Sequence, residues 1–171
     1  MSGRSSEFGR RMALVARAGR MFVRTGMGTP GPPLKVARQL NALRRWGTLL
    51  GGTVVSTAAR DPDAVAIIDD EGELTYGEVD ARTDRLAAAL GRAGTAPRVA
   101  VLCRNHRGMV EALVAASKRG SDTLLLNTGM STEQLAAAVR EQEVEIVIAD
   151  AEFAGFLAAV PKTVRAVSYT L

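Results

Sequence analysis

Histidine and cysteine each occur once in the 171 residues, as His106 and Cys103. One of each cannot supply an internal disulfide, a zinc cluster or a triad with a second histidine in reserve. A lone cysteine suits a reducing compartment. It closes the apolar run VAVLC, so it reads as a buried strand residue rather than a nucleophile. Aromatics make up only 4%, so any core has to be aliphatic, built from Ala, Leu and Val. No stretch reaches the roughly 18–20 apolar residues of a membrane span. The longest charge-free run, Trp46–Ala59, has 14 residues, three of them glycine. Three glycine signatures are missing as well: GxGxxG after a strand, GxxxxGK[ST] and GxSxG. With them go the dinucleotide fingerprint, the phosphate loop and the hydrolase elbow.

What is present has ordinary globular proportions, 47% hydrophobic and 23% charged, enough for one domain with a real core. The charge is unevenly placed. Residues 1–50 hold ten Lys/Arg against a single acid, Glu7, which is +9. The remainder holds twelve basic and seventeen acidic residues, which is −5. This asymmetry divides the chain into a basic extension, residues 1–57, and a mildly acidic domain, residues 58–171.

The extension contains two basic amphipathic patterns separated by TPGPP, residues 29–33, which no helix continues through. The first sets Met12, Val15, Ala16 and Met21 among Arg11, Arg17, Arg20 and Arg24. The second sets Leu34, Leu40, Leu43 and Trp46 among Lys35, Arg38, Arg44 and Arg45. A targeting peptide, an interfacial segment on an anionic membrane surface, and a plain solvated extension all remain open. A nucleic-acid partner is not expected, because aromatic interleaving and a binding motif are both absent.

From residue 58 onward strand and helix signals alternate. VAIID (65–69), the turn DDEG and ELT predict a hairpin. Thr75 and Glu78 have capping-box spacing, so a helix should begin at Tyr76, with Val79, Thr83, Leu86, Ala87 and Leu90 on its apolar face. RVAVLC (98–103), DTLLLN (122–127) and EIVIAD (145–150) read as buried strands. MVEALVAASK (109–118), capped by Gly120, and TEQLAAAVREQE, opened by the Ser131–Gln134 box, read as the helices between them. AEFAGFLAAV and TVRAVSYTL add a helix and a strand. The order predicts an α/β fold: a mainly parallel sheet with right-handed crossovers and helices on both faces, preceded by the hairpin.

Ligands of such sheets sit beyond the carboxyl ends of the strands, which selects two loops. In Arg104–Gly108, the arginines Arg104 and Arg107 suit an anion, and Asn105 or His106 could donate a hydrogen bond. The plainer expectation is that Asn105 caps the next helix and the arginines are solvated. In Asn127–Ser131, the polar groups of Asn127, Thr128 and Ser131 serve equally as turn and cap chemistry. Asp69, Asp70 and Glu71, in a turn, are expected to be exposed. Residue chemistry therefore assigns no catalytic, cofactor-binding or metal residue.

The order of the motifs is more informative than any one of them. RDPDAVAIIDDEGELTYGEVDARTDRLAAAL, RVAVLCRNHRGMVEALVAASKRGSDTLLLNTGMSTEQLAAAV and EVEIVIADAEF together resemble, over about residues 58–160, the amino-terminal part of the adenylate-forming (AMP-binding) acyl-CoA synthetases. LTYGEV resembles an L-T-Y-x-E-L core motif. ASKRGSDTLLLNTG stands where an L-K-A-G motif is expected, and CRNHRG resembles the bacterial long-chain fatty-acid CoA ligases. One departure is a shortened loop before Arg98. The resemblance implies a cytoplasmic enzyme that uses ATP, Mg²⁺ and coenzyme A on a fatty acid. The family's Ser/Thr/Gly-rich phosphate loop ending in P-K-G, its adenine motif, its ribose-binding Asp and its catalytic Lys have no counterpart among these 171 residues. The implied protein is thus an amino-terminal, truncated piece, inactive alone. The alternative is a non-catalytic binding module, peripheral to a membrane through residues 1–50.

Overall fold

The computed structural model describes residues 32–91 and 96–169. The first amphipathic pattern, Arg11–Arg24, and the core of the shortened loop before Arg98 lie outside the described residues. Two compact units divide between Val36 and Ala37. The first, residues 1–36, is described only over its last five residues, the opening turn of helix α1. Everything else belongs to the second.

Helix α1, Pro33–Trp46, starts on a proline, which has no N–H to leave unpaired and a ring already set to helical φ. Helix α2, Leu50–Arg60, follows after Gly47 at φ +74°. It runs across the boundary expected at residue 58 and sits closely on the α/β layer: the Gly51 N–H donates to Ser117 Oγ at 2.9 Å. The antiparallel hairpin is β1, Val65–Asp69, with β2, Gly72–Thr75. Gly72 takes φ +101° at the turn, a conformation open chiefly to glycine. Helix α3, Tyr76–Leu90, begins where the capping box places it: Thr75 Oγ1 accepts from the Glu78 N–H, and the Glu78 carboxylate accepts from the Thr75 N–H at 2.8 Å. The Tyr76 and Gly77 N–H groups donate to Ala64 and Pro62, so the LTYG segment fastens hairpin to helix.

Strand β3, Val99–Leu102, helix α4, Arg107–Arg119, strand β4, Thr123–Leu125, helix α5, Thr132–Glu141, strand β5, Ile146–Asp150, a 3₁₀ turn at Ala151–Phe153, helix α6, Ala154–Ala159, and strand β6, Arg165–Tyr169, complete the described chain. The sheet order is β4-β3-β5-β6, all parallel. This is the α/β architecture expected. β3 and β5 lie at the centre and are buried on both faces, which explains their unbroken apolar runs. Strand periodicity splits them between two cores. Val99, Val101, Cys103, Ile146 and Ile148 meet α3 and α4, while Ala100, Leu102, Val147 and Ala149 meet α5 and α6.

DTLLLN departs from expectation. Only three of its residues form β4, and Leu125 is 56% exposed. Among the described residues β4 is an edge strand that pairs only with β3; the run of leucines alone does not distinguish a centre from an edge. Lys118, in the ASKRG segment, is nearly buried and joins α4 to α3. Its ammonium donates to the Asp80 carboxylate and carbonyl and to Asp84, one helical turn further on.

Candidate functional site

The carboxyl ends of β3, β5 and β6 converge on one cluster of polar side chains. It is organised by the first turn of α4. His106, not Asn105, is the N-cap: its backbone is extended, and its Nδ1 accepts from the Gly108 N–H at 2.9 Å. An acceptor nitrogen carries no proton, so the ring proton sits on Nε2 and donates to Asp150 Oδ1 at 3.0 Å. The other Asp150 oxygen accepts from the Arg104 N–H at 2.7 Å. Asp150 ends strand β5 and thereby holds the turn that follows its neighbour β3. Asn105 is left exposed, on the wall of a cavity of about 290 Å³ that Ile68, Asp69, Asp70, Glu71, Arg104 and His106 also line.

The two arginines are not simply solvated. Arg107 is buried and grips Asp69 with its Nε, its guanidinium and its backbone N–H, while Nη2 also reaches the Gly72 carbonyl at 3.1 Å. The charge-assisted bonds from Arg107 hold the Asp69 carboxyl far below the usual carboxylate range. Asp69 is therefore no exposed turn acid: its side chain is only 11% exposed, because it fastens the hairpin to the sheet layer. Arg104 is half-exposed. It makes a bidentate pair with Glu152 at 2.8 and 2.9 Å and lies over the Phe153 ring. The same bonds lower the Glu152 carboxyl.

Beneath this layer, Arg82 of α3 and Tyr169 of β6 meet at Glu111 of α4. Arg82 Nε donates to Glu111 at 2.6 Å, and the Tyr169 hydroxyl donates to it at 3.1 Å. The Tyr169 ring lies 5.7 Å from the His106 ring, and a Cβ at Gly108 would press on both rings. Cys103 is buried here, and desolvation together with the Asp150 charge pushes its thiol up to about 12. At neutral pH it stays an un-ionised thiol, which removes it as a nucleophile.

The second expected loop is separate chemistry. Asn127 Oδ1 accepts from the Gly129 N–H, and Ser131 and Gln134 form their capping box. Its polar side chains are thus engaged locally, and Thr128 adds no hydrogen bond to the Asp150 cluster. The sequence reading missed Asp150, Glu152 and Tyr169. The strand-end rule that selected the loops after β3 and β4 would have reached the first two had it been applied to EIVIAD, whose last residue is an acid following a fully buried strand.

Chemically the cluster is closed on itself. Asp69, Asp150, Glu111 and Glu152 each face an arginine or the histidine of this chain. Among the described residues no three His, Cys, Asp or Glu side chains stand together as a metal-ligand set. No helix of the described residues is long and apolar enough to cross a membrane.

Comparison with known proteins gives a consistent result. The profile described as AMP-binding enzyme matches residues 54–170. The chain is 40% identical over 94 residues to phosphinothricin tripeptide synthetase PhsB of Streptomyces viridochromogenes, covering 53% of this chain and 8% of that one. It is 34% identical over 112 residues to feruloyl-CoA synthase of Amycolatopsis sp, covering 64% of this chain and 23% of that one. Among solved structures, a protein of Rhodopseudomonas palustris assigned as a long-chain-fatty-acid CoA ligase superposes with a TM-score of 0.62 at 28% identity, over 71% of this chain and 32% of that one. The chain therefore spans less than a quarter of these two sequence relatives and about a third of the superposed structure.

Proposed function

The chain belongs to the AMP-binding enzyme family, and from that premise we propose that it is the amino-terminal scaffold of an ATP-dependent acyl-CoA synthetase, inactive as these 171 residues alone. The reaction it would serve joins a carboxylate oxygen to the α-phosphorus of ATP and expels pyrophosphate. The coenzyme A thiolate then attacks the acyl carbon, and AMP leaves. Mg²⁺ would screen the phosphates during the first step. The observation that carries the reading is positional. The motifs that resemble the family's, LTYGEV, CRNHRG and ASKRG, all serve here to lock scaffold elements together, through the Thr75–Glu78 box, the His106 cap with the Arg107–Asp69 pair, and Lys118. Binding of ATP, Mg²⁺ and coenzyme A falls to motifs that these residues do not contain.

A fatty acid is the acyl substrate we favour. The likeness of CRNHRG to the long-chain ligases and the 28% identity to the Rhodopseudomonas palustris structure support it. Ferulate and amino acids are the competitors that the other relatives' names bring. The lone reduced cysteine supports a cytoplasmic location. A second reading, a non-catalytic module peripheral to a membrane, is favoured by the +9 charge of residues 1–50.

Incubating the chain with ATP, Mg²⁺, coenzyme A and a long-chain fatty acid should give no thioester above background, and thioester formation would refute the proposed inactivity. Reading the DNA beyond codon 171 tests the parent enzyme. A Ser/Thr/Gly-rich loop ending in P-K-G, in frame or after a frameshift, supports the synthetase, and its absence from every frame rejects it. A protein carrying that extension should turn over a long-chain fatty acid faster than ferulate or amino acids, and the reverse order would reject the fatty-acid assignment.

A further inference from the structure

Residues 37–50 contain Arg38, Arg44 and Arg45 and no acid. On this part of α1, Ala42 is buried and Gln39 and Leu43 are half-buried, while the three arginines stand exposed. None of the three makes an ion pair with another described residue. The helix then runs into an exposed apolar corner: Leu40 is 61% exposed, Trp46 37%, Leu49 71% and Leu50 47%. Single exposed leucines are ordinary. Four large apolar side chains within eleven residues, set among three exposed arginines, suit a partner that is apolar and negatively charged at once.

The corner also has a defined place in the fold. A cavity of about 390 Å³ lies beside Leu49 and Leu50, bounded by Leu113, Ser117 and the segment Gly120–Thr123. That segment leads into the amino end of β4, so the corner lies at the amino ends of the parallel strands. The Asp150 cluster lies at their carboxyl ends.

We propose that residues 38–50 are a docking surface for an anionic lipid bilayer. Trp46, Leu49 and Leu50 enter the boundary between headgroups and acyl chains, and Arg38, Arg44 and Arg45 meet the headgroup phosphates. A nucleic acid would satisfy the arginines but not the two leucines. This inference stands independently of the synthetase reading.

The test is co-sedimentation of the full chain with phosphatidylcholine vesicles, with and without phosphatidylglycerol. Binding should require phosphatidylglycerol and weaken as salt rises. Exchanging Arg44→Gln and Arg45→Gln should weaken it roughly 25-fold at low salt, about fivefold for each arginine. Exchanging Leu49→Ser and Leu50→Ser should weaken it about tenfold or more through lost apolar burial. Because all four side chains are exposed, far-UV circular dichroism of both variants should match the parent. Absence of phosphatidylglycerol-dependent binding at low salt would overturn the proposal. So would undiminished binding by both variants, which would place the contact elsewhere in the chain. Competition by duplex DNA together with indifference to the leucine exchanges would overturn it in favour of a nucleic acid.

Discussion

Gly108→Ala tests whether the strand-end cluster is as tightly clamped as its hydrogen bonds indicate. A Cβ at residue 108 would lie 2.6 Å from His106 Cε1 and 2.6 Å from both Tyr169 Cδ1 and Cε1. Carbon–carbon contacts settle near 3.5–4.0 Å, so something has to yield by about 1 Å. Neither ring is free to do so. Both nitrogens of His106 are engaged, by the Gly108 N–H and by Asp150, and the Tyr169 hydroxyl is fastened to Glu111 and Arg82. Overpacking of this kind costs about 1–3 kcal/mol, and one broken hydrogen bond adds about 1 kcal/mol. Against this, alanine gains less than about 1 kcal/mol of helix propensity over glycine. The net expectation is a loss of about 1–3 kcal/mol. For a chain of this size that lowers Tm by roughly 3–10 °C, since about 1 kcal/mol corresponds to some 2–4 °C. Urea and thermal unfolding followed by circular dichroism give the number. Combining Gly108→Ala with Tyr169→Ala should cost less than the two separate losses added together, because the second change removes half of the clash. A Gly108→Ala protein as stable as the parent, or an additive double variant, would refute the argument.

Four further outcomes follow from the same geometry. Thr75→Ala removes the side-chain half of the α3 capping box and should cost about 1 kcal/mol in urea unfolding; a change below about 0.3 kcal/mol would mean the cap contributes nothing. Cys103 should resist iodoacetamide at pH 8 while the chain is folded and react once urea unfolds it. The same raised thiol makes the unfolded chain lose its proton first, so between pH 9 and about 12 this residue's contribution to stability falls as pH rises, and Cys103→Ala should flatten that part of the profile. Long-range ¹H–¹⁵N spectra at neutral pH should show His106 with its proton on Nε2; a proton on Nδ1 would contradict the cap.

Much of the scaffold was readable from local chemistry. Both capping boxes, the Gly120 stop, the hairpin turn and the central strands depend on neighbours within four residues or on a period of two, and both kinds of signal are written along the chain. The cluster was not readable, because its partners are far apart in sequence. Asp69 meets Arg107 across 38 residues, Glu111 meets Tyr169 across 58, and His106 meets Asp150 across 44. A turn acid such as Asp69 has the same local signature whether it faces water or a guanidinium. The edge position of β4 was hidden for a related reason. Strand order is a property of the assembled sheet, and TLLL carries no mark that its second neighbour is absent.

The distribution of those long-range pairs bears on what the cluster is for. A site that binds a charged substrate keeps some charge uncompensated, so that the ligand completes the set. Here Asp69 is held by Arg107, Glu152 by Arg104, and Glu111 by Arg82 and Tyr169, while Asp150 is divided between a backbone N–H and His106. Breaking any one of these leaves a half-buried charge without its partner, which disfavours rearrangement around an incoming anion. The bonds also join the hairpin to α4 and α3 to α4, which the parallel sheet itself does not connect, and they reinforce the β3–β5 pairing by tying the β3 turn to the end of β5. Their pattern is that of a brace holding helices and hairpin against the strand ends.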